Sequence, residues 1–400
     1  MRIHGDSERA FSPLIEAFER ILEDAPGGAA LAVYHRGRKV VDVWAGKRDA
    51  EGRPWERDTA TVVFSTTKGV ASTVLHQLVD RGLLSYDDPV AKHWPEFAQR
   101  GKGDITVRDV LTHRAGLSDT RRLLGDAREL LDWEGMLRRL EEAEPGHRGP
   151  RSSYHALTYG HLVGGIAEKV TGTPFPRLVR TMIAEPLDLE GFHIGAPESA
   201  TKHAARLIFG RGGSKGSSSG GSKKKRKPLR LRFRAPFLEP FRDALFPKGI
   251  HRFDMSSPEA LAACIPAANG LFTARDLARM YAALAEGGSL DGTRILSREA
   301  LDRVRRPIVS GPDRVLLVPM GWRLGYHRVG TLSRRTAPGA IGHYGFGGSG
   351  AFADPDRRLS VAFVVNYGFG TPVGDLRVWY LNGVAMGCAD RLAERESRSS

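Results

Sequence analysis

Four hundred residues, 41 % of them apolar, exceed what one hydrophobic core usually organises, so two packed regions are expected and a disordered polyelectrolyte is excluded. The formal charge of +14 invites a nucleic-acid reading, yet twelve lysines and arginines lie between Lys202 and Arg234 without a single acid, and removing them leaves about +2. The basicity is local, which argues against a protein whose whole surface binds polyanions.

The opening stretch to Glu23 mixes acids and bases on a helical apolar period, and no later window approaches the ~20 apolar residues of a membrane span. Neither a signal peptide nor a transmembrane helix is expected. Cys264 and Cys388 belong to no Cys-x-x-Cys or Cys/His metal pattern. They read as small buried hydrophobes in a reducing compartment, and the expectation is a cytoplasmic protein with no cofactor.

In chain order, residues 29–43 read as two β-rich runs around a turn at Arg36 to Arg38, the pattern of a hairpin. Residues 61–64 form a short apolar lead into a helix running from Ser65 to about Gly82, with Val70, Val74, Leu75, Leu78 and Val79 as its buried stripe. Helical patterns then dominate to about Gly270. One stops in a glycine turn near Gly116, where His113 reads as a structural hydrogen-bonder; a Pro/Gly-rich approach over 145–153 leads to Tyr154, and a helix resumes over 157–170. Residues 211–228 look like a Gly/Ser tether ending in a basic run, a solvated insertion in which Lys223 to Lys227 offers the one place for nucleic acid or an anionic surface, without aromatics for base stacking. A helix over 274–285, strands over 351–352 and 359–366, and a long helix over 373–391 complete the chain. Strands at both ends around a helical middle predict an α/β (α+β) architecture. An antiparallel sheet flanked by helices is built from residues 1–62 and 270–400, and a mainly helical domain, 63–269, is inserted between them.

Ser65 and Lys68 carry the chemistry. Three residues advance a helix by about 300°, so the hydroxyl and the amine share a face. At a helix N-terminus, free N–H groups and the dipole favour a developing alkoxide and a later oxyanion. Ser-x-x-Lys also occurs at Ser199 with Lys202 and at Ser222 with Lys225, but only Ser65 has an apolar lead-in and a helix behind it. Two Gly-x-Ser-x-Gly matches within 212–220 lack the strand and helix that a nucleophile elbow needs. Lys68 is protonated at neutral pH unless its surroundings lower its pKa, so a second group is expected to help. Tyr154 is the candidate, as a phenol that ionises more easily beside Lys68 and accepts the Ser65 proton. The glycine-rich residues 342–355 allow backbone to approach a ligand closely and aim N–H groups at it.

In this order, Ser65-Thr66-Thr67-Lys68, residues 111–117, 154–160, 168–172 and 265–273, and the glycine-rich block resemble the serine β-lactamase and penicillin-binding protein superfamily. The match is nearest to its class-C-like branch of family VIII carboxylesterases, and it covers nearly the whole chain outside the basic insertion. The resemblance implies a β-lactamase-like fold with Ser65 as nucleophile and Lys68 and Tyr154 as the proton-transfer pair. It further implies the backbone N–H groups of Ser65 and Phe346 as oxyanion hole, and His343, Tyr344 and Gly345 as the substrate-binding triplet where lactamases carry Lys-Thr-Gly.

Two departures bear on the substrate. Ala156 stands where class C lactamases have the asparagine of Tyr-x-Asn, and His343 replaces the lysine that would help to bind a substrate carboxylate. The expected function is therefore a serine hydrolase of short-chain carboxylic esters, a small-molecule enzyme. Its alternatives are a β-lactamase or D-amino-acid-specific peptidase, and a non-catalytic anion-binding scaffold that works through the basic loop.

Overall fold

The computed structural model describes residues 2–208, 238–368, 371 and 373–399. The basic insertion expected over 211–228, with Lys223 to Lys227, lies outside the described residues.

Six strands form one antiparallel sheet: β1 (His4–Ser7), β2 (Gly28–His35), β3 (Arg38–Gly46), β4 (Ile341–Tyr344), β5 (Gly350–Asp354) and β6 (Leu359–Val365). Their spatial order is β1-β3-β2-β6-β5-β4, so the two ends of the chain meet at the β2/β6 ladder, where Ala32 faces Ala362. The hairpin expected over 29–43 is β2 and β3, turned by Arg36 and Gly37 at φ of 53° and 75°.

Five helices frame the sheet and the site: α1 (Ser12–Leu22), α2 (Thr67–Asp80), α3 (Thr158–Thr171), α4 (Ala274–Ala285) and α5 (Leu376–Ser399). Side-chain alternation sorts the sheet's two faces. Leu31, Val33, Val361 and Phe363 pack against Leu14 and Phe18 of α1 and Leu381 and Met386 of α5. Ala30, Ala32, Ala351, Ala353 and Ala362 belong to the cluster on the other face, with Leu277 and Tyr281 of α4. These small residues let α4 lie close enough for its Ala278 carbonyl to accept a 2.8 Å hydrogen bond from Ser360 Oγ.

Helix α2 departs from the one-sided stripe that its sequence suggests. Every residue from Thr67 to Leu78 is buried, because the helix runs through the middle of the molecule. Its polar side chains are accordingly paired: Ser72 Oγ lies 2.7 Å from the Tyr159 hydroxyl, and Thr73 Oγ1 lies 2.7 Å from that of Tyr326. A small sheet of Thr61–Val62, Leu271–Phe272 and Phe192–His193 feeds the chain into the N-terminal end of α2. Cys264 and Cys388 are both free thiols.

Candidate active site

Ser65 does not begin α2 itself. It sits in a 3₁₀ turn, Phe64–Thr66, between the Thr61–Val62 strand and the helix. Phe64 adopts a left-handed φ of 48°, uncommon outside glycine, and this bend turns Ser65 toward the cleft. The turn is pinned by Val63 N–H donating to the Gly270 carbonyl at 3.0 Å and by Thr67 Oγ1 donating to the Phe64 carbonyl at 2.6 Å.

One helical turn on, Lys68 Nζ lies 2.9 Å from Ser65 Oγ and donates to the carbonyls of Ala156 at 2.7 Å and Ala267 at 2.9 Å. The side chain is fully buried and forms no ion pair among the described residues. Burial alone holds its pKa well below the usual lysine value, since a lone ammonium is poorly solvated there. Ala267 reaches the lysine because Gly160 of α3 has no side chain; a Cβ there would come within 2.2 Å of the Ala267 nitrogen.

The Tyr154 hydroxyl donates to Ser65 Oγ at 2.7 Å. Its ring stacks on Trp322 at 5.6 Å and 9°, and Asp313 braces both residues, accepting from the Tyr154 backbone N–H at 3.1 Å and from Trp322 Nε1 at 3.2 Å. The expected easy ionisation of this phenol is reversed. Burial, reinforced by the Asp313 charge, pushes the Tyr154 pKa up, and the hydrogen bond to Ser65 only partly offsets it. With Lys68 depressed and Tyr154 raised, the amine is the one of the two driven toward its unprotonated form.

The glycine-rich turn after β4 closes on Ser65 from the other side. Gly345 permits the approach: a Cβ there would stand 2.1 Å from the Val63 carbonyl oxygen. Thr66 Oγ1 donates to the Ser349 carbonyl at 3.2 Å, and the Phe346 ring meets Phe64 edge-on at 5.9 Å. The turns that carry the backbone N–H groups of Ser65 and Phe346 are thereby clamped together.

The other two members of the triplet lie elsewhere. His343 is buried behind Tyr154 among the rings of Trp322 and His327; its Nδ1 lies 2.9 Å from the Tyr344 carbonyl oxygen, and it is absent from the wall of the Ser65 pocket. Tyr344 points to the opposite face of the sheet, where its hydroxyl accepts from Asn382 Nδ2 at 2.8 Å. His113, read as structural, is buried and accepts from the His155 backbone N–H at 3.2 Å. Of the other Ser-x-x-Lys matches, Lys202 pairs on the surface with Glu198 at 3.0 Å, and Ser222 lies outside the described residues.

Ser65 opens into a cavity of about 190 Å³ lined by apolar side chains, among them Leu157, Leu245, Ile250, Phe253, Met255 and Phe346. A larger charged cleft of about 770 Å³ beside Ser153 contains none of the site residues.

Sequence reasoning missed three parts of this arrangement. The Ala156 and Ala267 carbonyls are backbone atoms with no side-chain signature, although the motifs that carry them stood out. Asp313 had a weak signal in its Gly-Pro-Asp turn. The apolar wall over 245–255 had none beyond composition.

Residues 15–384 match the family described as beta-lactamase. The chain belongs to that family. Among its relatives, the esterase/beta-lactamase LipL of Mycobacterium tuberculosis is 43 % identical over 371 residues, which cover 91 % of this chain and 83 % of that protein. The crystal structure of a family VIII carboxylesterase superposes with a TM-score of 0.84 at 32 % identity, covering 97 % of this chain and all of that one. A penicillin-binding protein homologue from Caulobacter crescentus gives 0.83 at 34 % identity with the same coverage. This beta-lactamase-family chain is therefore a hydrolase of esterase/beta-lactamase type, built on the β-lactamase-like fold expected of it. Among the described residues, no helix is long and apolar enough to cross a membrane.

Proposed function

We propose that this protein is a serine carboxylesterase that cleaves short-chain, uncharged carboxylic esters through an acyl-enzyme on Ser65. The observation that carries the reading is that Lys68 Nζ and the Tyr154 hydroxyl both contact Ser65 Oγ, and that Ser65 and Tyr154 line an apolar cavity.

A neutral lysine has two N–H groups and one lone pair. Those match two carbonyls and one hydroxyl, which is the set of partners around Lys68. Lys68 takes the Ser65 proton as Oγ attacks the ester carbonyl, and the N–H groups of Ser65 and Phe346 receive the oxyanion. Tyr154, kept protonated by burial, donates its hydroxyl proton to the departing alkoxide and recovers one from the Lys68 ammonium. Water then attacks the acyl-enzyme by the reverse of this proton path, releasing the acid and restoring Ser65.

The uncharged substrate class is supported by the cavity wall. Among the described residues it carries no charged side chain, Lys68 has every hydrogen-bonding direction occupied, and His343 is set back from it. An anionic substrate would have to shed its hydration there without a counter-charge.

Two measurements test the reading. A fluorophosphonate probe should label Ser65, and Ser65→Ala should abolish hydrolysis of a butyryl nitrophenyl ester while leaving the fold intact. Retention of most of the wild-type turnover would falsify the nucleophile. A chromogenic cephalosporin should be turned over far less efficiently than the ester, and equal efficiency would favour a β-lactamase.

A further inference from the structure

One continuous stretch supplies five of the twelve described residues around the Ser65 cavity: Leu245, Phe246, Ile250, Phe253 and Met255. It is held by its backbone. Thr120 Oγ1 donates to the carbonyls of Asp243 at 2.7 Å and Ala244 at 3.0 Å, and the Ala127 N–H donates to the Lys248 carbonyl at 2.7 Å. Gly249, at φ 77°, turns the chain between the Glu239–Leu245 helix and the Ile250–Arg252 turn, and a Cβ there would strike the Asp126 carboxylate. Anchored on its outer side, the stretch presents its apolar side chains to the cavity. It carries none of Ser65, Lys68, Tyr154 or the oxyanion donors, so chemistry and cavity shape reside on different elements.

We propose that residues 245–255 are the acyl-chain selector of this hydrolase, reading the length and the lack of charge of an alkanoyl group through Ile250 and Phe253, with Phe246 at the rim. The proposal rests on the esterase reading of Ser65. The acyl group stays bonded to Oγ through both half-reactions whereas the alcohol leaves after the first. The apolar cavity opening on Oγ therefore serves the acyl part in both steps. Burying one more methylene changes transfer free energy by about 0.8 kcal/mol, a factor of about four in kcat/KM until the cavity is full. Among the described residues, the stretch offers a terminal carboxylate in the cavity only apolar side chains.

The test compares kcat/KM for acetyl, butyryl, hexanoyl, octanoyl and succinyl (free acid) nitrophenyl esters in the full-length protein. Wild type should prefer butyryl to acetyl by about tenfold and to succinyl by about a hundredfold or more. Ile250→Trp should cut the hexanoyl-to-acetyl ratio by about tenfold, and Phe253→Ala should raise the octanoyl-to-butyryl ratio by about fivefold. Neither should change the pH profile. Phe246→Ala, at a side chain 37 % exposed, should move the octanoyl ratio in the same direction as Phe253→Ala and reads out the selector should an interior variant not fold. Ratios unchanged within twofold in the variants that fold, with Ser65 still labelled by fluorophosphonate, would overturn the selector alone. Ratios that moved across acetate esters of lengthening alcohols instead of across acyl chains would overturn the acyl assignment. Failure of Ser65 to label, with Ser65→Ala still active, would bring down the esterase reading beneath it.

Discussion

Lys68 Nζ and the carbonyl oxygen of Ala267 stand 2.9 Å apart across 199 residues of chain. That contact, with its twin to Ala156, fixes two of the amine's three hydrogen-bonding directions and leaves the third for Ser65. The lysine is positioned by backbone rather than by an acid, so its charge is never compensated and its basicity is set by burial.

Removing either proton-transfer group should slow turnover sharply. Lys68→Ala and Tyr154→Phe are each expected to lower kcat by about 10² to 10⁴, and the double variant should lose little more than the worse single one, because the two act on one proton path. Steady-state kinetics under conditions where chemistry limits the rate would show it. A Tyr154→Phe variant within about twofold of wild type would reduce the phenol to a pocket wall.

The pH profile follows from the two shifted groups. The active lysine is neutral, so kcat/KM should fall as pH drops through its depressed pKa and should be flat above it, well before the ordinary 10.5 of an exposed lysine. The Tyr154 pKa is raised from 10.0, so no alkaline decline should begin below that value. An acid limb governed by an apparent pKa near 10 would contradict the buried amine.

Gly345→Ala should damage catalysis more than stability. The new methyl would meet the Val63 carbonyl oxygen at 2.1 Å and part the two turns that carry the proposed oxyanion donors. Loss of one such donor is worth about 10² to 10³ in kcat, while overpacking typically costs about 1–3 kcal/mol. Parallel kcat, KM and urea-midpoint measurements would separate the two effects.

Acid should destabilise this protein early. His76 is held down to about 3 and His155, His161 and His327 to about 4, each chiefly by burial, from an ordinary 6.5. Below 6.5 the unfolded chain binds protons that the folded chain refuses, so stability is complete above that pH and falls toward pH 4. Each histidine contributes a slope approaching about 1.4 kcal/mol per pH unit. Urea unfolding at pH 7.5, 6 and 5 should show a progressive drop, and a flat series would mean that these side chains are not buried neutral.

Much of this was legible in the sequence, for physical reasons. The helices at 274–285 and 157–170 and the strand at 359–366 announce themselves as apolar segments of helix or strand length, which the fold buries almost throughout. Ser65, Lys68 and Tyr154 were legible by motif and converge on one oxygen atom. Tyr344 was not, because strand alternation sends it to the far face while its neighbour His343 faces the site side, and a triplet read as a unit hides that reversal. The direction of the Tyr154 shift was also hidden, since it is set by how deeply the folded chain buries the phenol, with the Asp313 charge, 159 positions away, adding to it.

His327 has a consequence for what can lie along β4. Among the described residues, strand β4 is the outermost of the six, with β5 as its sole strand neighbour. On its outer side the Gly342 carbonyl accepts from the His327 backbone N–H at 3.1 Å, and the Tyr344 N–H donates to His327 Nε2 at 3.0 Å. A single residue thus occupies the acceptor and the donor that an extended peptide would use to add itself as a seventh strand. A guest chain approaching the strand that ends at Tyr344 finds the main-chain rungs between Gly342 and Tyr344 already taken.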